Sequence, residues 1–143
     1  MVVVSNNTAS APAPVTVQPA APFILTYGAN RAVVVNPDGS VNAAGNGAAP
    51  GSVLVAYLIG SGPLDNAIPT GGVAPLTPLS RETLPTTVSV GGSAAVPFAG
   101  MTPGFAGLVQ VNFVMPSLAP GDYPMQVTIG GFGSNQPVVT VSK

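Results

Sequence analysis

Nowhere in the 143 residues does an apolar period of about 3.6 residues persist for three turns. What remains are short apolar or alternating runs bounded by glycine, proline and asparagine, so the sequence predicts an all-β fold with seven or more short strands. Taken in order, Val2–Val4, the loop SNNTASAPAP and Val15–Val17 read as strand, loop, strand. Gln18–Pro22 is a Pro-rich, extended linker, and Phe23–Thr26 and Ala32–Val35 are the first strands of a complete unit. Asn36-Pro37-Asp38-Gly39 is a turn, with proline fixing φ at its second position and glycine at its last. Residues 43–51 have no side chains able to build a core. Ser52–Ile59 is apolar on both faces, as a central strand covered on both sides would be.

Residues 60–86 carry Pro63, Pro69, Pro75, Pro78 and Pro85, spaced too closely for a helix or an inner strand. A loop of this length is usually functional or disordered. Val88 and Val90, Gly91-Gly92 and Ala95–Phe98 read as a hairpin whose glycines supply positive φ, and Gly100–Gly104 as a connection. Val109, Val111, Phe113 and Met115 then alternate with Gln110, Asn112 and Val114, giving a strand with one largely wet face. The closing quarter, Ser117–Val141, holds a Pro-Gly turn, an alternating strand Tyr123, Met125, Val127, Ile129, a Gly-Gly corner and a last strand Val138–Val141.

The spacing Leu118, Pro120, Gly121, Tyr123 resembles the tyrosine corner of immunoglobulin-like sandwiches, in which a tyrosine hydroxyl bonds to nearby backbone and pins a crossover. The expected fold is therefore an immunoglobulin-like antiparallel β-sandwich of about seven strands, residues 23–143, preceded by an N-terminal arm or orphan hairpin and linker, residues 1–22. The opening also repeats the close. With a constant offset of 124 positions, Val3 falls on Val127, Ser10 on Ser134, Thr16 on Thr140 and Val17 on Val141. If residues 1–17 are a second closing hairpin, they need a host, because two strands alone are marginal in water.

Composition narrows the function. The chain is 46% apolar and only 5% charged, against about 25% charged in an average soluble domain. Interspersed charge is what usually discourages association, so some surface is expected to be covered by a neighbour. A net charge of −1 offers no basic footprint for nucleic acid or anionic lipid. Without cysteine there are no disulfides or thiolate sites, and the longest apolar run, Val53–Ile59, is too short to cross a bilayer. No charged segment precedes an apolar one at the start, so a secretion signal is expected to be removed or absent from this sequence.

Catalytic groups are few. With neither histidine nor cysteine, Ser-His-Asp, Cys-His and His-metal arrangements are unavailable to this chain, and no catalytic, cofactor-binding or metal-binding residues are expected. The four carboxylates, Asp38, Asp65, Glu82 and Asp122, each sit in turn chemistry, and a carboxylate-pair hydrolase would need two of them across one cleft. Asn36–Asn42 offers a calcium ion one carboxylate where several oxygens are needed, so it reads as a turn. The glycine-rich pieces lack a following helix and a neighbouring cation, unlike phosphate cradles. Phe98, Phe105, Phe113, Tyr57 and Tyr27 are dispersed and read as packing groups.

The segments NPDGSVN, APGSVLVAYLIGSGP, FAGMTPGFAGLVQVNFVMP and LAPGDYPMQVTIGG, in that order, resemble the C-terminal immunoglobulin-like module of large secreted, uncharacterised acidobacterial surface proteins. The resemblance covers roughly residues 23–143. It implies an extracellular modular protein of bacterial origin, with no activity or cofactor to carry over, and makes residues 1–17 the tail of a preceding related repeat. The expected function is a non-catalytic structural module that assembles with a neighbouring copy or domain, including as a filament subunit. Its assembly arm would carry Val2, Val3, Val4, Val15 and Val17, and its partners would be itself, head to tail, or an adjacent immunoglobulin-like repeat. Neither nucleic acid nor membrane insertion is expected. The alternative is an adhesin or glycan-binding domain using the 60–86 loop.

Overall fold

The computed structural model describes Met1–Lys143 and contains no helix. Two strands lie in the arm, β1 (Val4–Ser5) and β2 (Thr8–Ala9). The body begins with β3 (Phe23–Ile24), β4 (Thr26–Tyr27), β5 (Arg31–Ala32), β6 (Val34–Val35) and β7 (Val53–Ile59). It continues through β8 (Thr86–Val90), β9 (Ser93–Ala94), β10 (Phe98–Met101) and β11 (Val109–Val114). It closes with β12 (Gly121–Ile129), β13 (Phe132–Gly133) and β14 (Val138–Val141). These form a β-sandwich. One sheet runs β10-β11-β7, with β3 and β6 both paired to β7; the other runs β4-β5-β14-β12-β8-β9, with β13 also paired to β12. Pairing is antiparallel except where β14 is flanked in parallel, by Arg31 of β5 at Val138 and by Ala48 at Val141.

The alternation of side chains along a strand builds the core directly. In β11, Val109, Val111 and Phe113 are fully buried while Gln110, Asn112 and Val114 face partly outward; in β12, Met125, Val127 and Ile129 do the same. Facing them are Leu54, Ala56 and Leu58 of β7, Val88 and Val90 of β8, and Val139 and Val141 of β14. The all-β sandwich expected from the sequence is what the chain forms, its body in twelve strand segments, β3 to β14, rather than about seven.

The difference has local causes. Phe23–Thr26 and Ala32–Val35 each read as one strand, but each is divided between the two sheets. The chain crosses at Leu25 and Val33, where Val33 N–H donates to Leu25 at 2.8 Å and Leu25 N–H to Tyr57 at 2.9 Å. One hairpin thus closes the side of the sandwich by switching sheets, a change no turn residue announces. Strand β7 is central in its sheet, yet only one of its faces is fully covered: Leu54, Ala56 and Leu58 are buried, whereas on the other face Val55 and Tyr57 are half-buried and Val53 and Ile59 are exposed. The expected double coverage was wrong because a chain so poor in charge also puts valine and isoleucine on outer faces. Gly100 and Met101 belong to β10, so the connection there is residues 102–108.

The linker is less free than its composition predicts. Ala20 is 2% exposed and belongs to the core, and Ala21 N–H donates to Gly60 at 3.1 Å, so the body begins at Ala20 and not at Phe23. Gly60 has φ +84°, and a Cβ there would sit 1.8 Å from the Ala21 carbonyl oxygen, so glycine is required for the chain to enter at this point.

Candidate functional site

The arm is built from a two-residue turn. Asn6 and Asn7 adopt φ of 48° and 59°, which asparagine tolerates better than other side chains, and the turn pairs Val4 with Ala9 and Ser5 with Thr8. Below it, Ser10 N–H donates to Val3, Val3 N–H donates to Ser10 Oγ at 3.1 Å, and Ser10 Oγ donates to Ala11. The Met1 ammonium donates to Ala13 and Ala13 N–H donates back to Met1. The strands expected at Val2–Val4 and Val15–Val17 are therefore misplaced. The pairing turns at Asn6-Asn7, and Val15–Val17 is not strand, because Pro12 and Pro14 have no N–H with which to continue the ladder.

Every hydrogen bond made by residues 1–17 stays within residues 1–17, and all of residues 1–19 are exposed. Among the side chains expected to form an assembly arm, Val2 is 48% exposed, Val3 56%, Val4 67%, Val15 57% and Val17 90%. Five exposed valines thus lie on a segment that makes no hydrogen bond to the body.

The corner residues are brought together by the start of β12. The Tyr123 hydroxyl donates to the Ala119 carbonyl at 3.0 Å, across the bend that holds Pro120 and Gly121. Leu118 and Tyr123 close over Gly91, where a Cβ would come within 3.1 Å of both side chains. Gly91 has φ 57° and turns β8 into β9; Gly92 does not share the positive φ expected of it.

Beside the corner lies the chain's one ion pair. Arg31 donates through two nitrogens to Asp122 at 3.0 Å, and Thr140 Oγ1 donates to Asp122 and accepts from Arg31. The hydrogen bonds from Arg31, then from Thr140, hold the Asp122 carboxyl down at about 2. Because the folded value lies below the ordinary 3.8, this pair contributes stability above the ordinary value, and that contribution is lost as pH falls through about 2. The Asp122 side chain is 48% exposed, so screening limits the expected contribution to under about 1 kcal/mol. Asp122→Asn is expected to flatten the fall in melting temperature across this acid range without abolishing it, since the Ser40 hydrogen bonds also hold Asp38 low. Parallel acid profiles for the variant and the parent chain would refute the assignment.

Residues 60–85 form no named strand, yet they are ordered against the edge of β10. Met101 N–H donates to Ser80 and Glu82 N–H to Ala99, so Ser80–Glu82 lies along β10 like a further strand, itself tied to Leu64 and Asp65. Asp65 accepts from Arg81 N–H at 2.7 Å, and Glu82 accepts from Gly62 N–H at 3.0 Å. Burial raises the Glu82 pKa, and its second oxygen has no partner. The loop has no aromatic residue of its own. The structure adds one that sequence spacing missed: Ala74 N–H donates to Phe105, which places exposed Phe105 on the segment that also carries exposed Val73 and Leu76. A shallow cavity of about 400 Å³, lined by Leu64, Ile68 and Met101 among others, contains no charged group.

No family model matches the chain, and no curated protein matches it.

Proposed function

We propose that this is a non-catalytic structural module that assembles through contacts with a neighbouring copy or domain, with residues 1–17 as the contact. The observation that carries the reading is the arm itself: an ordered hairpin, bonded only to itself, presenting valines to solvent. The lack of catalysis is supported by the absence of histidine and cysteine and by the carboxylates, each of which is taken up as an acceptor by Ser40, Arg81, Gly62 or Arg31. An immunoglobulin-like identity for the sandwich is supported by the Tyr123–Ala119 bond across its corner. An extracellular location in a bacterial surface protein is what the family resemblance implies, and a repeated head-to-tail contact of this kind would form a filament.

Deleting residues 1–17 tests the reading. The shortened chain is expected to keep its thermal stability within about 0.5 kcal/mol, as for surface changes that touch no core group, and to lose all association seen by light scattering. Equal association with and without the arm would defeat it, and a parent chain that stays monomeric at high concentration would remove its head-to-tail copy form. The second reading, an adhesin using the 60–86 loop, is favoured by the exposed Val73 and Leu76 in the middle of that segment and by exposed Phe105, which Ala74 N–H holds beside them. Apolar groups without a neighbouring carboxylate suit protein better than sugar, and a glycan array without hits would remove the sugar-binding form of that reading.

A further inference from the structure

The arm and the end of the body carry the same bonding pattern at the constant offset of 124 positions. Asn6-Asn7 correspond to Gly130-Gly131, whose φ values of 58° and 88° make the same kind of turn. Val4 faces Ala9 and Ser5 faces Thr8 in the arm; in the body Thr128 faces Gly133 and Ile129 faces Phe132. Ser10 N–H bonds to Val3 as Ser134 N–H bonds to Val127. The side-chain bonds repeat as well. Val3 N–H donates to Ser10 Oγ at 3.1 Å and Val127 N–H to Ser134 Oγ at 3.0 Å, and each serine hydroxyl donates to the carbonyl of the next residue. Met1 N donates to Ala13 as Met125 N–H donates to Pro137.

The sequence identity follows burial. Of the 17 residues Met125–Val141, eight are buried in the body, and six of those eight have the same residue in the arm: Met125, Val127, Ser134, Val139, Thr140 and Val141. None of the nine less buried positions is the same. A segment whose inward-facing positions match a buried hairpin, and whose outward-facing ones do not, has the pattern of a segment that is itself buried on that face. In the arm the corresponding Met1, Val3, Val15 and Val17 are 72%, 56%, 57% and 90% exposed. Val138–Val141 pairs with Gly121–Pro124, while the corresponding Pro14–Val17 pairs with nothing in this chain.

We infer that Met1–Val17 is the closing hairpin of a second body of this fold, one whose closing-hairpin position is vacant, and that the face bearing Met1, Val3, Val15 and Val17 docks there. The inference rests on the assembly reading above and names its partner. This body's own position is filled by Met125–Val141, as it is in every intact copy of the chain, so the partner is a neighbouring domain of this fold that lacks its closing hairpin, which is the domain form of the assembly reading and not its head-to-tail copy form. Because Ala20 is already held in the core, only Gln18 and Pro19 separate the docked hairpin from the next body, which makes the joint between modules short and stiff.

The arm departs from the hairpin at four informative positions. Ser5 replaces buried Ile129, Ala11 replaces Asn135, Ala13 replaces buried Pro137, and Pro14 cannot make the N–H bond that Val138 gives to Asn30. The test is therefore a full-length chain in which residues 125–141 are exchanged for the arm sequence while Ile129 and Asn135 are kept, beside a control carrying the same arm residues shifted by one position. The graft is expected to melt in one cooperative transition about 10 °C or less below the parent chain, while the shifted control, which turns each apolar side chain to the wrong face, shows no such transition. A graft that melts no better than the shifted control overturns the inference. That failure would leave the assembly reading standing, since association of the parent chain is measured separately by arm deletion.

Discussion

Asn42→Ala is expected to destabilise the body by about 3 kcal/mol, read as a fall in the urea midpoint with an unchanged slope. The reason is the position of this amide. Asn42 is 1% exposed, and its side chain bonds to both backbone groups of Thr140: Oδ1 accepts from Thr140 N–H at 2.8 Å and Nδ2 donates to the Thr140 carbonyl at 2.9 Å. It pairs with β14 as a neighbouring strand would, and a third bond runs from Nδ2 to Asn36 Oδ1 at 3.1 Å. Truncation leaves a buried N–H without an acceptor, which alone costs about 1–3 kcal/mol, and empties the space between the 36–46 segment and the sheet. Asn42→Asp is expected to be worse, because a carboxylate would face two acceptor oxygens in a dry site. Asn46→Ala, which removes an exposed amide bonded to Ser40 and Val41, is expected to change stability by less than about 1 kcal/mol. Equal effects at positions 42 and 46 would refute this account.

Asn135 repeats the device on the opposite side. Its Oδ1 accepts from Ile24 N–H and its Nδ2 donates to the Ile24 carbonyl, joining the closing segment to β3 of the other sheet. A chain that is 5% charged has few ionised groups with which to satisfy backbone at its sheet borders, and here side-chain amides fill that role. With backbone satisfied in this way, only four buried side-chain atoms, Arg31 Nε, Ser80 Oγ, Glu82 Oε1 and Thr102 Oγ1, are without a partner.

These amides mark the limit of what was legible beforehand. Period-two alternation marks β8, β11 and β12, because each has one face against the core and pattern follows burial, while β7 and β14 stand out as short apolar runs. The closing quarter was readable for a further reason: its turns need glycine, and Gly130-Gly131 is where the chain turns. Contacts between segments distant in sequence were not readable. Asn42 and Thr140 lie 98 positions apart and Ile24 and Asn135 lie 111 apart, so no local spacing announces either pair. The sheet switch at Leu25 and Val33 escaped for the same reason, since both residues sit inside unbroken β-forming runs. In the arm, the valines stand out as a group, but the turn lies earlier than the centre of the polar loop 5–14, because Asn6-Asn7 takes up positive φ at the loop's start.

Gly100→Ala is expected to release the strap Ser80–Glu82 from β10, lowering stability by about 2–3 kcal/mol and opening a sheet edge. Gly100 has an ordinary backbone conformation, so the effect is one of space. A Cβ there would lie 2.3 Å from the Ser80 carbonyl oxygen and 2.9 Å from Arg81 Cα, and both are backbone atoms that cannot rotate aside. Moving the strap breaks the bonds Met101 N–H to Ser80 and Glu82 N–H to Ala99, and with them the only cover on the outer border of β10. Unpaired strand edges recruit other edges, and this chain has almost no charge to prevent it. Made in a chain lacking residues 1–17, the variant is therefore expected to associate as concentration rises, although the arm is gone. Gly104→Ala separates strain from exposure: φ there is +82° with nothing within 4 Å of a Cβ, so it should lose about 1 kcal/mol and remain dispersed. Two different kinds of association thus become distinguishable by one pair of glycines, an ordered one that needs the arm and an edge-driven one that needs the strap removed. If Gly100→Ala without the arm stays as dispersed as Gly104→Ala, the strap is not what protects this border, and the shielding must come from the twist and shortness of β10 itself.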